Sequence, residues 1–242
     1  MQESGFSPST INLRMSAIRK LTQEAADNGF IDQTIANGVS RVKGVKSAGV
    51  RSGNWLTKDQ AQDLINSPEL TTLKGYRDRA ILAVMIGAGL RRSEVSNITF
   101  DHIQQREGRW VIVDLVGKGN RVRTVPMPSW AKAAIDEWTQ IANIESGNVF
   151  CSINKGDNIS GDSITAQAVH DVVKHYSDNL GFQIAPHDLR RTFAKLAHKG
   201  GSGLDQIQLS LGHASIKTTE KYLGIEQNLH DAPCDKLGLK LG

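Results

Sequence analysis

The sequence predicts a mainly α fold with one small antiparallel β-sheet, an α+β arrangement, and three observations carry that reading. Apolar residues recur at helical spacing along most of the 242-residue chain. Helix starts are marked by residues that satisfy free backbone N–H groups, as in Ser7-Pro8 and in Thr57 followed three residues on by Gln60. Only between Arg109 and Met127 does the pattern change to β-rich runs.

Taken in order, Ser7-Pro8 opens an amphipathic helix with Ile11, Met15, Ile18, Leu21 and Ala25 on its apolar face, closed by Gly29. A shorter helical piece runs from Asp32 to Asn37. The stretch from Arg41 to Arg51 then holds four bases, no acid and several glycines. It reads either as a solvated linker or as a strap across a phosphate backbone, where each cation releases counterions. Trp55 to Asn66 is the first helix of a second, larger part, and Tyr76 to Gly87 a strongly apolar one broken by Gly87-Ala88-Gly89. A short helix from Arg92 to Asn97 follows. Arg109–Val116 and Arg121–Met127 form a hairpin by the turn chemistry of Gly117-Lys118-Gly119-Asn120. After Pro128 come helices at 129–142, 163–179, 187–199, 204–211 and 215–223. Two domains are therefore expected: residues 1–50, too small to bury a core alone, and residues 54–242.

Composition narrows the function classes. Hydrophobic residues make up 39% and charged residues 22%, as in ordinary globular proteins. The longest apolar stretch, Ala80–Leu90, is shorter than the roughly 20 residues that span a bilayer. The first ten residues lack the basic start and apolar core of a signal peptide. Cys151 and Cys234 are too few for a disulfide framework or a cysteine zinc site, so a reducing, cytoplasmic setting is expected. The net charge is +4, and residues 1–54 contribute most of it, with seven Lys/Arg against four acids. That bias favours a polyanionic partner.

Breaking a phosphodiester without a metal takes a nucleophile, cations on the non-bridging oxygens and an acid for the leaving oxygen. Arg91 sits where a glycine-rich turn feeds a helix N-terminus, with Glu94 able to pair with a neighbouring arginine. Lys118 stands at a glycine-flanked hairpin tip. His187 and Arg190 lie three apart, on one helix face. His213 follows Leu211-Gly212, and Tyr222 ends Thr218-Thr219-Glu220-Lys221-Tyr222. Each of these alone has an ordinary structural explanation: a surface arginine, a soluble turn, a packed histidine or tyrosine.

Together the set resembles the tyrosine recombinase (phage integrase) family. GAGLRRSEV resembles its first-arginine motif, carrying Arg91, and GKGNRVRTVPMP its lysine hairpin, carrying Lys118. HDLRRTFA resembles the His-x-x-Arg box, giving His187 and Arg190, and LGHASIKTTEKYL the box in which His213 precedes Tyr222 by nine residues. The resemblance spans residues 55–224 and departs from the family at Arg191, where a second histidine is frequent. Near the N-terminus, SPSTINLRMSAIRKLTQEAADNGFI resembles only the later helices of the family's core-binding domain.

The resemblance implies a recombinase catalytic-domain fold and a site-specific DNA recombinase or integrase. Tyr222 would attack a phosphate to give a 3′-phosphotyrosine, Arg91, Arg190 and His213 would hold its oxygens, Lys118 would protonate the leaving 5′-oxygen, and His187 would assist proton transfer from the tyrosine. Arg41, Lys43, Lys46, Arg51, Arg92, Arg121, Arg123 and Arg191 are expected against DNA. No metal, ATP or other cofactor is implied. The partner would be double-stranded DNA, held by a homotetramer on two duplexes. Rival readings are a type IB topoisomerase-like relaxing activity, a truncated DNA-binding remnant and a nuclease.

Overall fold

In a computed structural model of the chain, residues 6–45, 54–117 and 122–224 are described. The chain divides into two compact units, Met1–Arg51 and Ser52–Gly242. Among the described residues no helix is long and apolar enough to cross a membrane.

The first unit is a helical pair. Helix α1 (Pro8–Asp27) starts at Ser7, whose hydroxyl accepts from the Thr10 N–H, and ends at Asn28 before the left-handed Gly29. Helix α2 (Gln33–Arg41) is capped by Asp32, which accepts from both the N–H and the hydroxyl of Thr34. Asn12 then holds the chain beyond α2 by exchanging two hydrogen bonds, each 2.9 Å, with the Val45 backbone. Ile11 and Ala36 are buried between the helices, but Ile18 and Leu21, expected on the apolar face, are exposed. The face that packs within this pair is narrower than the one the sequence offers.

In the second unit, α3 (Lys58–Asn66) opens with the expected Thr57–Gln60 reciprocal cap. Helix α4 (Leu73–Ala88) is buried on nearly every face and forms the centre of the core. Its N-terminus is capped twice, by the Thr72 hydroxyl and by Asp157, whose carboxylate accepts from the N–H groups of Leu73 and Lys74. A four-residue helix, α5 (Arg92–Val95), and a 3-10 turn (Phe100–His102) lead into the sheet.

The sheet has three antiparallel strands in sequential order: β1 (Ile103–Arg106), β2 (Arg109–Val116) and β3 (Val122–Pro126). The β2–β3 hairpin was expected and β1 was not. Only Ile103 of β1 is shielded, so the strand carries no apolar alternation, and its turn is made by Glu107 and Gly108, both at positive φ. Helix α6 (Ser129–Ile141) packs on α4 and places Trp138 in the core, where its ring N–H donates to the Val149 carbonyl at 2.8 Å. A second, two-stranded sheet pairs β4 (Ser152–Ile153) with β5 (Ile159–Gly161). Four helices follow among the described residues: α7 (Ala166–Asn179), α8 (Pro186–Lys199), α9 (Leu204–Leu211) and α10 (Ile216–Leu223). Leu189 of α8 belongs to the main core, while Ala194, Ile207, Leu211 and Leu223 form a small second one under α8, α9 and α10. That second core holds three chemistry-bearing segments together.

Candidate active site

Helices α4 and α9 both end on a left-handed glycine, Gly89 (φ 62°) and Gly212 (φ 61°). Such an ending leaves carbonyls at the helix C-terminus without helical partners, and these carry partial negative charge. Arg190, on the buried face of α8, uses both ends: one Nη donates to the Gly89 carbonyl and the other to the Leu211 carbonyl. The residue is only 2% exposed, yet among the described residues no carboxylate pairs with it. Burial, with Arg91 adding repulsion, pushes its pKa down to about 9, still well above neutrality.

Arg91 lies just past Gly89, at the start of α5. Its backbone N–H donates to Glu94 Oε2 at 2.8 Å and its Nη1 to Oε1 at 2.7 Å. Arg123 of β3 grips the same carboxylate with both Nη atoms, each at 2.9 Å, and gives its Nε–H to the Ser210 carbonyl of α9. Burial alone would raise the Glu94 carboxyl, but the hydrogen bonds and charges of Arg123 and Arg91 outweigh it and hold the pKa below the usual range. Arg123, expected on DNA, therefore faces inward: its side chain is 9% exposed and three of its N–H groups are committed to the protein. It braces the β-sheet against α5 and α9.

Tyr222, in the last turn of α10, meets two histidines edge-to-face, His187 at 5.2 Å and His213 at 5.3 Å between ring centres. Its hydroxyl donates to the His187 carbonyl at 3.1 Å and stands 3.4 Å from His187 Nδ1. Burial pushes the Tyr222 pKa up to about 12 although Arg190, Arg191 and Arg91 pull it down. The nucleophile candidate is thus held as a neutral phenol. Arg191 lies over its ring, 5.1 Å from Cζ to the centroid, with Nε and Nη1 buried and unpartnered. That guanidinium, also expected on DNA, is placed against the tyrosine ring.

Both histidines have lowered pKa values here. Burial is the main cause for His213, joined by the charges of Arg190 and Arg91, and takes its pKa to about 4. His187 is lowered by burial and by Arg191 and Arg190. Both rings are accordingly neutral at pH 7, and the charge of the site resides in its arginines.

The structure brings five of the six expected catalytic residues into one cluster: Arg91, His187, Arg190, His213 and Tyr222. Lys118 and Arg121 lie outside the described residues, as do Lys46 and Arg51. Arg41 and Lys43 are exposed in the first unit. A cleft of about 400 Å³ opens beside the cluster, lined by Arg91, Arg92, His170, His187 and Arg190 among others. Arg92 is exposed at its edge. Among the described residues no three His, Cys, Asp or Glu side chains gather into a metal site. Sequence reading missed Thr219, fully buried on α10, whose Oγ1 lies 3.0 Å from His213 Nδ1. The only sequence signal was its place one turn before Tyr222.

Comparison with known proteins gives a consistent picture. The profile described as phage integrase family matches residues 54–228. The tyrosine recombinase XerC of Thermodesulfovibrio yellowstonii is 31% identical over 227 residues, which cover 92% of this chain and 73% of that protein. Among solved structures, a lambda integrase (75–356) dimer bound to a COC′ core site superposes with a TM-score of 0.66 at 17% identity, covering 91% of this chain and 76% of that one. The XerH site-specific recombinase in a post-cleavage complex with a palindromic difH substrate gives 0.61 at 20% identity, over 76% of this chain and 52% of that one.

Proposed function

Because the chain belongs to the phage integrase family of tyrosine-type site-specific recombinases, we propose that it cuts and rejoins DNA through a phosphotyrosine formed at Tyr222. One observation carries this reading: Arg190, buried and without a carboxylate partner among the described residues, lies in the same cluster as a shielded tyrosine hydroxyl. A buried guanidinium that has only neutral acceptors is suited to an arriving anion.

The proposed cycle follows from the donors present. The scissile phosphate enters the cleft, and Arg91 and Arg190 take its non-bridging oxygens. His213 donates to one of them as charge builds in the pentacoordinate transition state. The Tyr222 hydroxyl leaves the His187 carbonyl, passes its proton toward neutral His187 Nδ1, and its oxygen attacks phosphorus. The bond from phosphorus to the 5′-oxygen breaks, and Lys118 protonates that oxygen. A 3′-phosphotyrosyl bond and a free 5′-hydroxyl result, and attack by a 5′-hydroxyl reverses the step. Bond energy stays in the protein–DNA link. Arg191 over the ring lowers the cost of the developing phenolate. Residues 1–50 act as part of a DNA-clamping domain, with Arg41, Lys43 and Lys46, and Arg51 just beyond, on the backbone and Arg92 and Arg121 beside the site. The two solved structures above are described bound to their target sites, one as a dimer; strand exchange between two duplexes calls for a tetramer of this chain.

The test is covalent trapping on a nicked suicide DNA substrate carrying natural recombination sites. Wild type is expected to give a slow-migrating adduct on a denaturing gel, and Tyr222→Phe none. An adduct that survives the substitution assigns the nucleophile elsewhere. Free 3′ ends without adduct make the chain a nuclease, and relaxation of one duplex without strand exchange makes it a topoisomerase.

A further inference from the structure

We propose that Thr219 is a positioning residue that fixes the ring of His213 in the tautomer with its proton on Nε2, the form able to donate to a phosphate oxygen. The proposal rests on the recombinase reading for its purpose but on local geometry for its content. A neutral imidazole has one N–H, and the hydrogen bond made by one ring nitrogen decides where that proton sits. Here Nδ1 faces Thr219 Oγ1 at 3.0 Å. Thr219 has no solvent exposure, and among the described residues His213 Nδ1 is the one hydrogen-bond partner its hydroxyl has.

That arrangement has a direction. If Nδ1 carried the proton and donated to Oγ1, the hydroxyl's own hydrogen would be buried with nothing to accept it. If the hydroxyl donates to Nδ1, its buried hydrogen finds an acceptor and the ring proton moves to Nε2. Among the described residues Nε2 has no protein partner, so it is the nitrogen left for a ligand. The low pKa of His213, caused by burial and by the surrounding arginines, keeps the ring neutral and makes the choice of tautomer matter.

Placement on the helix adds a coupling. A threonine inside a helix usually gives its hydroxyl to the carbonyl of the preceding turn; this one reaches a side chain six positions earlier, outside the helix. Thr219 lies one turn before Tyr222, so α10 supplies both the nucleophile and the group that orients a phosphate donor. Thr218, its neighbour in the doublet, is exposed. Movement of α10 away from α9 would release the nucleophile and free the His213 ring together.

The test reads the tautomer directly. Nitrogen-15 correlation spectra through the two-bond ring couplings of His213, assigned with His213→Gln, are recorded on the full chain without DNA at neutral pH. The wild type and Thr219→Ser are expected to show the proton on Nε2, and Thr219→Val a mixture of both tautomers. In suicide-substrate kinetics Thr219→Val is expected to slow cleavage on the order of tenfold at saturating DNA with little change in KM, with Thr219→Ser restoring most of the rate. A proton on Nδ1 in the wild type overturns the proposal, as does a Thr219→Val spectrum and rate equal to wild type. Should Thr219→Val not fold, the wild-type and serine spectra still decide it. Absence of any wild-type adduct would count against the recombinase reading, while the spectra, taken without DNA, judge the tautomer separately.

Discussion

Among the described residues of the second unit two arginines are buried, Arg77 at 6% exposure and Arg190 at 2%, and they are treated in opposite ways. Arg77, on α4, gives Nε and Nη2 to Asp78 Oδ1 at 3.0 and 2.7 Å and Nη1 to the Cys151 carbonyl, while the Tyr176 hydroxyl donates to Asp78 Oδ2. That network is closed: charge meets charge, and the remaining donors meet acceptors. Arg190 has two helix-end carbonyls and no carboxylate of its own, because Glu94 is taken by Arg91 and Arg123. A buried charge with its counter-ion is part of the scaffold. One whose charged neighbours are Arg91 and a carboxylate already committed to two other arginines leaves room for an anion from outside.

The two arginines differ most visibly in their response to substitution by methionine. Arg190→Met is expected to slow strand cleavage on the order of 100- to 1000-fold, as loss of a transition-state donor does. Its folding stability should stay within about 1 kcal/mol, because an unpaired buried charge leaves with it. Arg77→Met strands Asp78 in the core and is expected to cost about 3–5 kcal/mol, with Arg77→Met/Asp78→Leu recovering most of that loss. Denaturant unfolding beside the cleavage assay reads both. If Arg190→Met proves as destabilising as Arg77→Met, Arg190 is scaffold and the contrast is void.

Arg123 sharpens the same contrast at a smaller scale, since it was expected on DNA and is found on Glu94. Arg123→Met removes the bidentate partner of a buried carboxylate, for an expected loss of about 2–4 kcal/mol. The dependence of DNA affinity on salt should keep its slope, because no phosphate contact is lost. Arg92→Ala, at the exposed cleft edge, should leave stability alone and reduce that slope by about 1. Reversed slopes would return Arg123 to the DNA surface.

What was legible in the sequence follows the same division between local and assembled features. Pairs that work within one helix turn, Arg91 with Glu94 and His187 with Arg190, were readable because their spacing is their geometry. Caps at Ser7 and Thr57 marked helix starts for the same local reason. The polar strand Ile103–Arg106 escaped notice because its turn puts Glu107, not the usual Asn, Asp or Gly, before Gly108 and its side chains do not alternate. Strands of two and three residues, Ser152–Ile153 and Ile159–Gly161, are too short to leave any period. The inward turn of Arg123 and the link from Thr219 to His213 depend on α9 lying against β3 and α10, which no spacing along the chain announces.

The finest test of the two regions is their response to acid, where their signs differ. His213 titrates at about 4 in the folded protein against a usual 6.5, so between those values the unfolded chain binds more protons. Stability from this group is therefore complete above pH 6.5 and is lost as pH falls toward 4; His187, lowered by burial and Arg191, acts in the same direction. Since the His213 ring is partly open to solvent, the expected loss is about 1 kcal/mol, and His213→Gln should flatten the curve by that amount. Asp78 runs the other way. Burial raises its pKa above 3.8 despite Arg77, so just above 3.8 the folded state binds the extra proton and stability falls as pH rises. The arginine-rich site thus resists protons while the closed core pair takes one up. Denaturation of wild type, His213→Gln and Asp78→Asn from pH 3.5 to 7 would separate the two slopes, and a His213→Gln curve as steep as wild type would mean that neither burial nor the neighbouring arginines lower the pKa of that ring.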